Sequence, residues 1–537
     1  MSNNYEEILR SGLIKVGQKK YIESKESFLE LIEINDKRYE GYLNLSNILV
    51  LENKQKEAKK VLINYLKDIA FNSEIVNGLA IILFNSNQYD DLSKHIELYI
   101  NKNDNHLLNY LKGFCLNHIN KPIEAENFLK KSIVLNSSFW PPYELLFNIY
   151  DLRSKLAEMK DLLNSSKKLF INNFKFEYFE ALYNYRISKY EKCYEILNRK
   201  KISDLIEKNK DHSFLSDYYN LLSKNFEKLM NYQKCLEYAL KRNKSLINIE
   251  SNKGFKKKEL LDTIDAYKNF YTKNSKSSFI AKDQGLYHSN LTFLIGFPRS
   301  GTTLLDTILR SHSKTMVIEE KPYLLNIRHN FFKKNHISSL LKLDEKNKIK
   351  MQEKYFDSIN YDPKKIIIDK FPLNLIELGF IKTIFPNSKI ILAIRHPLDC
   401  ILSCVLTAFK MNEAMLNFEN LQTTSFFYNK TFSLLTRYID FFTINLYQIK
   451  YENVVLDFNN EINKLLNFLE LNFENSLTKF YDTAKKREKI HTPSYDQVIK
   501  PLYSNSINRH LNFKDIETII PEIEKWIYYY SYENPIS

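Results

Sequence analysis

A period of about 34 residues runs through the first half of the chain and limits what that half can fold into. The segments YIESKESF, QKEAKKVL, YDDLSKHI, PIEAENFL, LAEMKDLL and YEKCYEIL align, and their fourth residues are Ser24, Ala58, Leu92, Ala125, Met159 and Cys193. The steps between them are 34, 34, 33, 34 and 34 residues, and YQKCLEYA adds Cys235 after a longer step of 42. Each unit reads as an aromatic-rich helix, a short polar turn (Gly17-Gln18, Asn53-Lys54, Asn87-Gln88, Asn120-Lys121) and a second amphipathic helix. Small or slender residues suit the point where two helices cross closely. One helix pair cannot bury its own apolar face, so units at this spacing stack into a solenoid.

This pattern, over residues 5–247, resembles the tetratricopeptide repeat, a helix hairpin of the same length. The resemblance implies a concave groove for a peptide, another acceptor or a protein partner. A spacer or a dimerisation arm is the alternative use of such an array. Residues 248–289 read as a junction: NKGFKKKELLDTIDAYKNFY is helical in pattern, and TKNSKSSFIAKDQGLYHSN is polar and loop-like. At 537 residues the chain is too long for one ordinary domain, and its 10 glycines and 13 prolines argue against long flexible linkers. The net charge of +14 fits an anionic ligand or acidic partner, but a general lysine excess produces the same number, and nucleic acid is not expected. The start, MSNNYEEILRSGLIK, carries charges where a signal peptide needs an apolar core. No run reaches the ~18 apolar residues of a membrane span. Five cysteines without metal spacing read as reduced structural thiols, so the expectation is a cytoplasmic protein with no metal site.

The second half opens with LTFLIGFPRSGTTLLDTILRSH. Residues 291–295 form an apolar run long enough for a buried strand; Gly296, Pro298 and Gly301 mark a tight loop. Helical spacing follows, with Leu304, Leu305, Ile308 and Leu309 apolar. A strand, glycine loop and helix start together offer unpaired N–H groups to an anion. Against the pattern G-x-x-x-x-G-K-[ST], the lysine position is Thr302, followed by Thr303, and the nearest cation is Arg299. Without that lysine a γ-phosphate and its magnesium ion lose their main ligand. Two hydroxyls and an arginine suit a single terminal phosphate bearing a small anionic group.

Further on, Glu319 and Glu320 follow a short apolar stretch, residues 315–318. The segment KKIIIDKFPLNLIELGFIKTIFPNSKIILAIRHPLDCILSC reads strand, helix, strand, helix, with continuous apolar strands at 366–368 and 390–394. Lys370 leaves the first at its C-terminal end, Arg395 leaves the second, and Ser403 lies eight residues beyond Arg395. Ligands of open parallel sheets gather at the carboxyl ends of strands, so Arg299, Lys370 and Arg395 are expected to converge there.

With these motifs in view, residues 290–532 resemble sulfotransferases that use 3′-phosphoadenosine 5′-phosphosulfate (PAPS), and among them the protein-tyrosine sulfotransferases. GFPRSGTT is similar to the family's 5′-phosphosulfate loop, IRHPLDCILSC to its 3′-phosphate element, and YENVVLDF and SYDQVIKP to two further segments. The joining of such a domain to tetratricopeptide repeats also resembles a known bacterial architecture. The resemblance implies that Arg299, Ser300, Gly301, Thr302 and Thr303 hold the 5′-phosphosulfate and that Arg395 and Ser403 hold the 3′-phosphate. It also implies that Tyr451 touches the nucleotide, that a segment from Ser494 to Lys500 closes over it, and that Arg509 stands near a cationic position of that segment. Glu320, twenty-one residues after Arg299, falls on the family's base, and Lys370 on the lysine that stabilises the reacting sulfuryl group. One departure is visible: a second arginine twelve residues after Arg395 is Thr407 here.

The expected fold is therefore an N-terminal all-α helical-hairpin solenoid (1–247) and a C-terminal α/β domain (290–537) with a central parallel sheet and a P-loop-like phosphosulfate loop. The expected function is sulfuryl transfer from PAPS, as co-substrate and without a metal, to a hydroxyl of a protein tyrosine, a saccharide or a small molecule. The alternatives are a divergent P-loop kinase or nucleotidase, and a repeat adaptor with an inactive sulfotransferase-like domain. His312 and His396 flank the two motifs and read as structural.

Overall fold

Each helix hairpin of the first half closes on one non-glycine residue in the left-handed region. These are Lys19, Asn53, Asn87, Asn120, Ser154 and Ser188, at the same spacing as the sequence period. The residue after each sends its N–H back over the helix end, as from Lys54 to Leu49 O (2.8 Å), Gln88 to Leu83 O (2.9 Å) and Lys121 to Leu116 O (2.8 Å). These bonds satisfy carbonyls that lack a helical partner, and asparagine reaches this conformation at low cost. The first turn departs from its reading: the left-handed residue is Lys19, while Gly17 stays inside its helix.

The computed structural model describes residues 2–102, 104–199, 211–274, 290–332, 336–360, 362–444, 446–485 and 498–534. By packing, the chain divides into two units, Met1–Arg199 and Lys200–Ser537. The first contains six helix hairpins among the described residues, from Ser2–Gly17 with Tyr21–Ile34 to Phe174–Arg186 with Tyr190–Leu197. All seven aligned positions, from Ser24 to Cys235, are at most 1% exposed, which places them at the helix crossings. Ser24 meets the polar cost of that burial by donating to Gly12 O at 3.0 Å. Asn72, Asn105 and Asn173 cap the helices that begin hairpins, each accepting from N–H groups of the first turn.

The second unit begins with a seventh hairpin, His212–Lys228 with Tyr232–Asn248. The repeat period runs on to residue 247, but packing parts the chain at Arg199, because this hairpin bonds into segment 405–419 through Arg242 and Asn243. The junction helix is Lys257–Lys273; the polar stretch after it lies largely outside the described residues.

Five parallel strands follow: β1 (Leu291–Gly296), β2 (Thr315–Glu319), β3 (Ile366–Lys370), β4 (Lys389–Ile394) and β5 (Leu446–Lys450), in the order β2-β3-β1-β4-β5. The register pairs Leu294 with both Lys370 and Ile391, and Glu319 with Lys370. β1 is buried throughout, as continuous apolar strands covered on both faces must be. β5 was not anticipated from the sequence: it is an edge strand, and only Ile449 is fully buried. The winding direction changes between β1 and β4, so a ligand crevice opens beyond their carboxyl ends. No helix among the described residues is long and apolar enough to cross a membrane.

Gly379, on the helix Leu378–Ile384, shows how tightly the junction helix seats. A Cβ there would stand 2.5 Å from Tyr271 Oη and 2.6 Å from Tyr438 Cε1. Both rings are fully buried and cannot swing clear. Gly379→Ala should gain about 1 kcal/mol of helix propensity and lose about 1–3 kcal/mol or more to overpacking, for a net loss. A urea midpoint equal to or above wild type would contradict this packing.

Candidate functional site

The turn between β1 and the helix Thr302–Arg310 leaves no room for side chains at its two glycines. A Cβ on Gly296 would meet Ser300 Oγ at 2.6 Å and Ala393 O at 2.7 Å, and one on Gly301 would meet Tyr451 Cδ2 at 2.9 Å. Gly301 is left-handed (φ 98°), and so is Arg299 (φ 72°), an uncommon conformation for a side-chain-bearing residue. The thiols of Cys400 and Cys404 both donate to Pro298 O at 3.2 Å and hold the loop from behind. The helix starts with buried Thr302 and Thr303 and has no side-chain cap, so its first-turn N–H groups and partial positive charge face the cleft uncompensated by a capping residue.

β4 delivers the second group. Arg395 is buried; its Nη1 donates to Arg299 O at 3.3 Å, its Nη2 donates to Ser506 O, and its guanidinium lies 5.1 Å over the Tyr451 ring. Arg299 Nε donates to Ser403 Oγ at 3.1 Å. The loop arginine and the β4 arginine–serine pair are therefore joined directly. Burial lowers the pKa of Arg299, and the charges of Arg395 and Arg509 lower it further. One cleft is lined by Arg299, Gly301, Thr302, Thr303, Arg395 and Tyr451, and by Val498, Lys500, Tyr503 and Ser506 from the C-terminal stretch. Ser300 Oγ and Arg395 Nε are buried with no hydrogen-bond partner among the described residues. Donors left in this state call for an anion or an equivalent acceptor.

β3 delivers a third group beside these. Lys370 is fully buried, and its Nζ lies 2.6 Å from Glu320 Oε1, 3.4 Å from Glu319 Oε1 and 3.7 Å from Asp306 Oδ2. Neither Glu320 nor Lys370 lines the cleft; Asp306, on the helix that starts at the cleft, stands beside Lys370. The two glutamates are not equivalent. Glu319 ends β2 with its side chain 11% exposed, while Glu320 turns out of the strand in a left-handed conformation (φ 48°) with its side chain 38% exposed. Its N–H remains tied to Lys370 O at 2.8 Å. Glu320 thus reaches solvent while keeping its bond to a buried ammonium.

The structure brings Arg299, Ser300, Gly301, Thr302, Thr303, Arg395, Ser403, Tyr451 and Lys500 around one cleft or its wall. Arg509 does not line it and is ion-paired with Glu227. Ser494 lies outside the described residues. Both ring nitrogens of His312 lie against backbone groups, Asn472 O and Lys314 N, as those of His396 lie against Glu533 O and Leu398 N. Asp399 accepts from His510 N and Nδ1 and stands 3.8 Å from Arg395. Asp306, Tyr503 and Ser506 were not singled out from the sequence. Asp306 could have been found, because it sits four residues before Arg310 on one helix face and pairs with it at 2.9 Å. Tyr503 and Ser506 lie in a stretch without periodicity. No group of three or more His, Cys, Asp or Glu among the described residues could hold a metal ion.

Residues 292–475 match the model of the sulfotransferase family. An uncharacterized protein of Aquifex aeolicus (strain VF5) is 26% identical over 319 residues, covering 56% of this chain and 40% of that protein. Protein-tyrosine sulfotransferase 2 of Gallus gallus is 23% identical over 267 residues, covering 46% of this chain and 71% of that one. Among solved structures, the sulfotransferase domain from the curacin biosynthetic pathway aligns at 18% identity and a TM-score of 0.35, covering 45% of this chain and 98% of that domain. Residues 292–475, within the C-terminal half, are thus similar to sulfotransferase-family domains.

Asp369, next to Lys370, is buried and accepts from Tyr355 Oη at 2.6 Å. Burial pushes its carboxyl up to about 7, against the opposing pull of Tyr355 and Lys370. A carboxyl whose pKa is raised on folding adds stability below its unfolded value, about 4, and that contribution is lost as pH rises through the folded value. Asp369→Asn should therefore flatten the decline in stability between about pH 4 and pH 8, by on the order of a few kcal/mol. Urea midpoints across that range check this. An equal decline in both proteins would show that Asp369 does not titrate there.

Proposed function

We propose that this chain transfers a sulfuryl group from PAPS to an acceptor hydroxyl, with its sulfotransferase-family domain as the catalytic half. The observation that carries the reading is the joining of Arg299, Arg395 and Ser403 beside an uncapped helix start. It offers two anion-binding groups, and Thr302 stands where a triphosphate loop needs lysine. The donors without a hydrogen-bond partner among the described residues, Ser300 Oγ and Arg395 Nε, fit a ligand with a phosphate at each end of a nucleoside. In this reading the loop N–H groups, Arg299, Ser300, Thr302 and Thr303 hold the 5′-phosphosulfate end. Arg395 and Ser403 hold the 3′-phosphate, and Tyr451 and Lys500 flank the nucleotide. When bound, PAPS supplies the activated sulfuryl group.

The Lys370 cluster then serves the acceptor. Glu320 is the exposed carboxylate and takes the proton of the attacking hydroxyl, a general-base contribution of roughly 10²–10⁴. Lys370 presents a fixed ammonium to the charge that develops on the departing oxygen. Its three carboxylate neighbours hold it in place before the reaction, so little reorganisation is needed. A tyrosine phenol is the first acceptor to test, since one relative is named a protein-tyrosine sulfotransferase; saccharide and small-molecule hydroxyls are the other classes. The hairpins of the first unit recruit the acceptor in this reading.

Transfer of labelled sulfate from PAPS to a tyrosine-containing peptide or a simple phenol tests it. Glu320→Gln should lower kcat by roughly 10²-fold or more, with affinity for 3′-phosphoadenosine 5′-phosphate (PAP) near wild type. Glu319→Gln, the matched control, should cost little. An acceptor already ionised at the working pH should partly rescue Glu320→Gln. A dead Glu319→Gln beside an active Glu320→Gln would move the base by one residue, and two fully active variants would remove the carboxylate base.

A further inference from the structure

The seventh hairpin has no task in the reading above, yet it contributes Arg242, a fully buried guanidinium. Burial lowers its pKa to about 10, so it stays charged at neutral pH. No ion pair with a carboxylate is recorded for it among the described residues, and burying such a charge is costly unless oxygen atoms surround it. They do. Nη2 donates to Val405 O at 2.6 Å and Nη1 to Leu406 O at 2.9 Å. Nη1 also donates to Asn220 Oδ1 at 3.2 Å, and Nε and Nη2 donate to Asn243 Oδ1 at 3.0 and 2.8 Å. Asn243 Nδ2 in turn donates to Val405 O, Phe418 O and Glu419 O at 3.0–3.1 Å.

Val405 and Leu406 end the helix Pro397–Leu406. Its last carbonyls lack helical partners and carry the negative end of the helix dipole, so a buried cation is well matched there. Arg395 lies just before the start of that helix, and Ser403 sits near its end. Thr407, at the position where the family pattern has an arginine, closes the helix by donating Oγ1 to Ser403 O at 2.6 Å. The five bonds of Arg242 occupy all five of its N–H groups, so none is left for a ligand. The other helix of the hairpin supplies Glu227, which pairs with Arg509 of the C-terminal stretch.

We propose that Arg242, seconded by Asn243, is a positioning residue of the 3′-phosphate site: the seventh hairpin fixes the helix Pro397–Leu406 and thereby sets Ser403 and Arg395 against Arg299. This rests on the cofactor reading above. It makes that hairpin part of the cofactor site.

The test is calorimetric binding of PAP and of adenosine 5′-phosphate, which lacks the 3′-phosphate, to full-length wild type, Arg242→Met and Arg242→Lys. The preference of wild type for PAP should fall about tenfold in Arg242→Met, the scale for groups that orient a ligand site from outside it. Arg242→Lys keeps the charge without the planar fork and should fall part of the way. Loss of general stability would weaken both ligands alike; the proposal requires a loss confined to PAP. A variant that keeps the full preference, or equal losses for both ligands, would overturn it. A wild type with no preference for PAP would instead remove the 3′-phosphate assignment, and this inference with it. Hydrogen exchange on wild type needs no variant. PAP should slow exchange in Tyr232–Asn248 as well as in Pro397–Leu406, and an unchanged Tyr232–Asn248 would also overturn the proposal.

Discussion

Like charges crowd the end of the sheet where β1 and β4 diverge, and much of the surrounding polar bonding keeps them there. Arg395 and Arg509 both act on Arg299. Arg395 is held by Arg299 O, Ser506 O and the face of Tyr451, and Arg509 by Glu227. Burial alone would raise the carboxyl of Asp399, yet the His510 hydrogen bond and the charge of Arg395 hold it below its ordinary range. Burial first, and then the charges of Arg395 and Arg509, lower the pKa of Arg299, so a bound anion would favour its charged form.

The Lys370 cluster inverts this balance, with one ammonium facing three carboxylates. The two clusters sit beside each other because the strand order sets β3 on one side of β1 and β4 on the other. Their polarity suits opposite tasks, one holding an anion and one accepting a proton. The left-handed backbone at Glu320 and Arg299 costs of order 1 kcal/mol or more at each. Both residues lie where a side chain must leave the strand or loop at an angle ordinary backbone does not provide.

Much of the architecture was legible because periodicity is a local signal. The spacing from Ser24 to Cys235 marked the helix crossings, and the apolar runs before Gly296, Lys370 and Arg395 marked three central strands. β5 was not legible, since an edge strand with one fully buried residue lacks that contrast. The allegiance of the seventh hairpin was hidden for another reason. Cys235 continues the repeat pattern, and the period cannot tell which unit a hairpin packs with. That is settled by Arg242 and Asn243, whose partners lie about 160–180 residues away. In the site, Arg299, Arg395 and Ser403 were named from the loop motif, the strand ends and the family resemblance, and hydrogen bonds join them in the structure. Tyr503 and Ser506 reach the cleft through long-range contacts that no local pattern records, whereas Asp306 pairs with Arg310 four residues on and was open to a reading of the helix face.

The central claim is that the cleft binds a nucleotide bearing a 5′-phosphosulfate and a 3′-phosphate without a metal. Titration of the full-length protein with PAP in the presence of a chelator, beside ATP with Mg²⁺, tests it most directly. The account predicts saturable PAP binding that chelation leaves unchanged, with ATP markedly weaker. Tighter binding of ATP with Mg²⁺ than of PAP would contradict it.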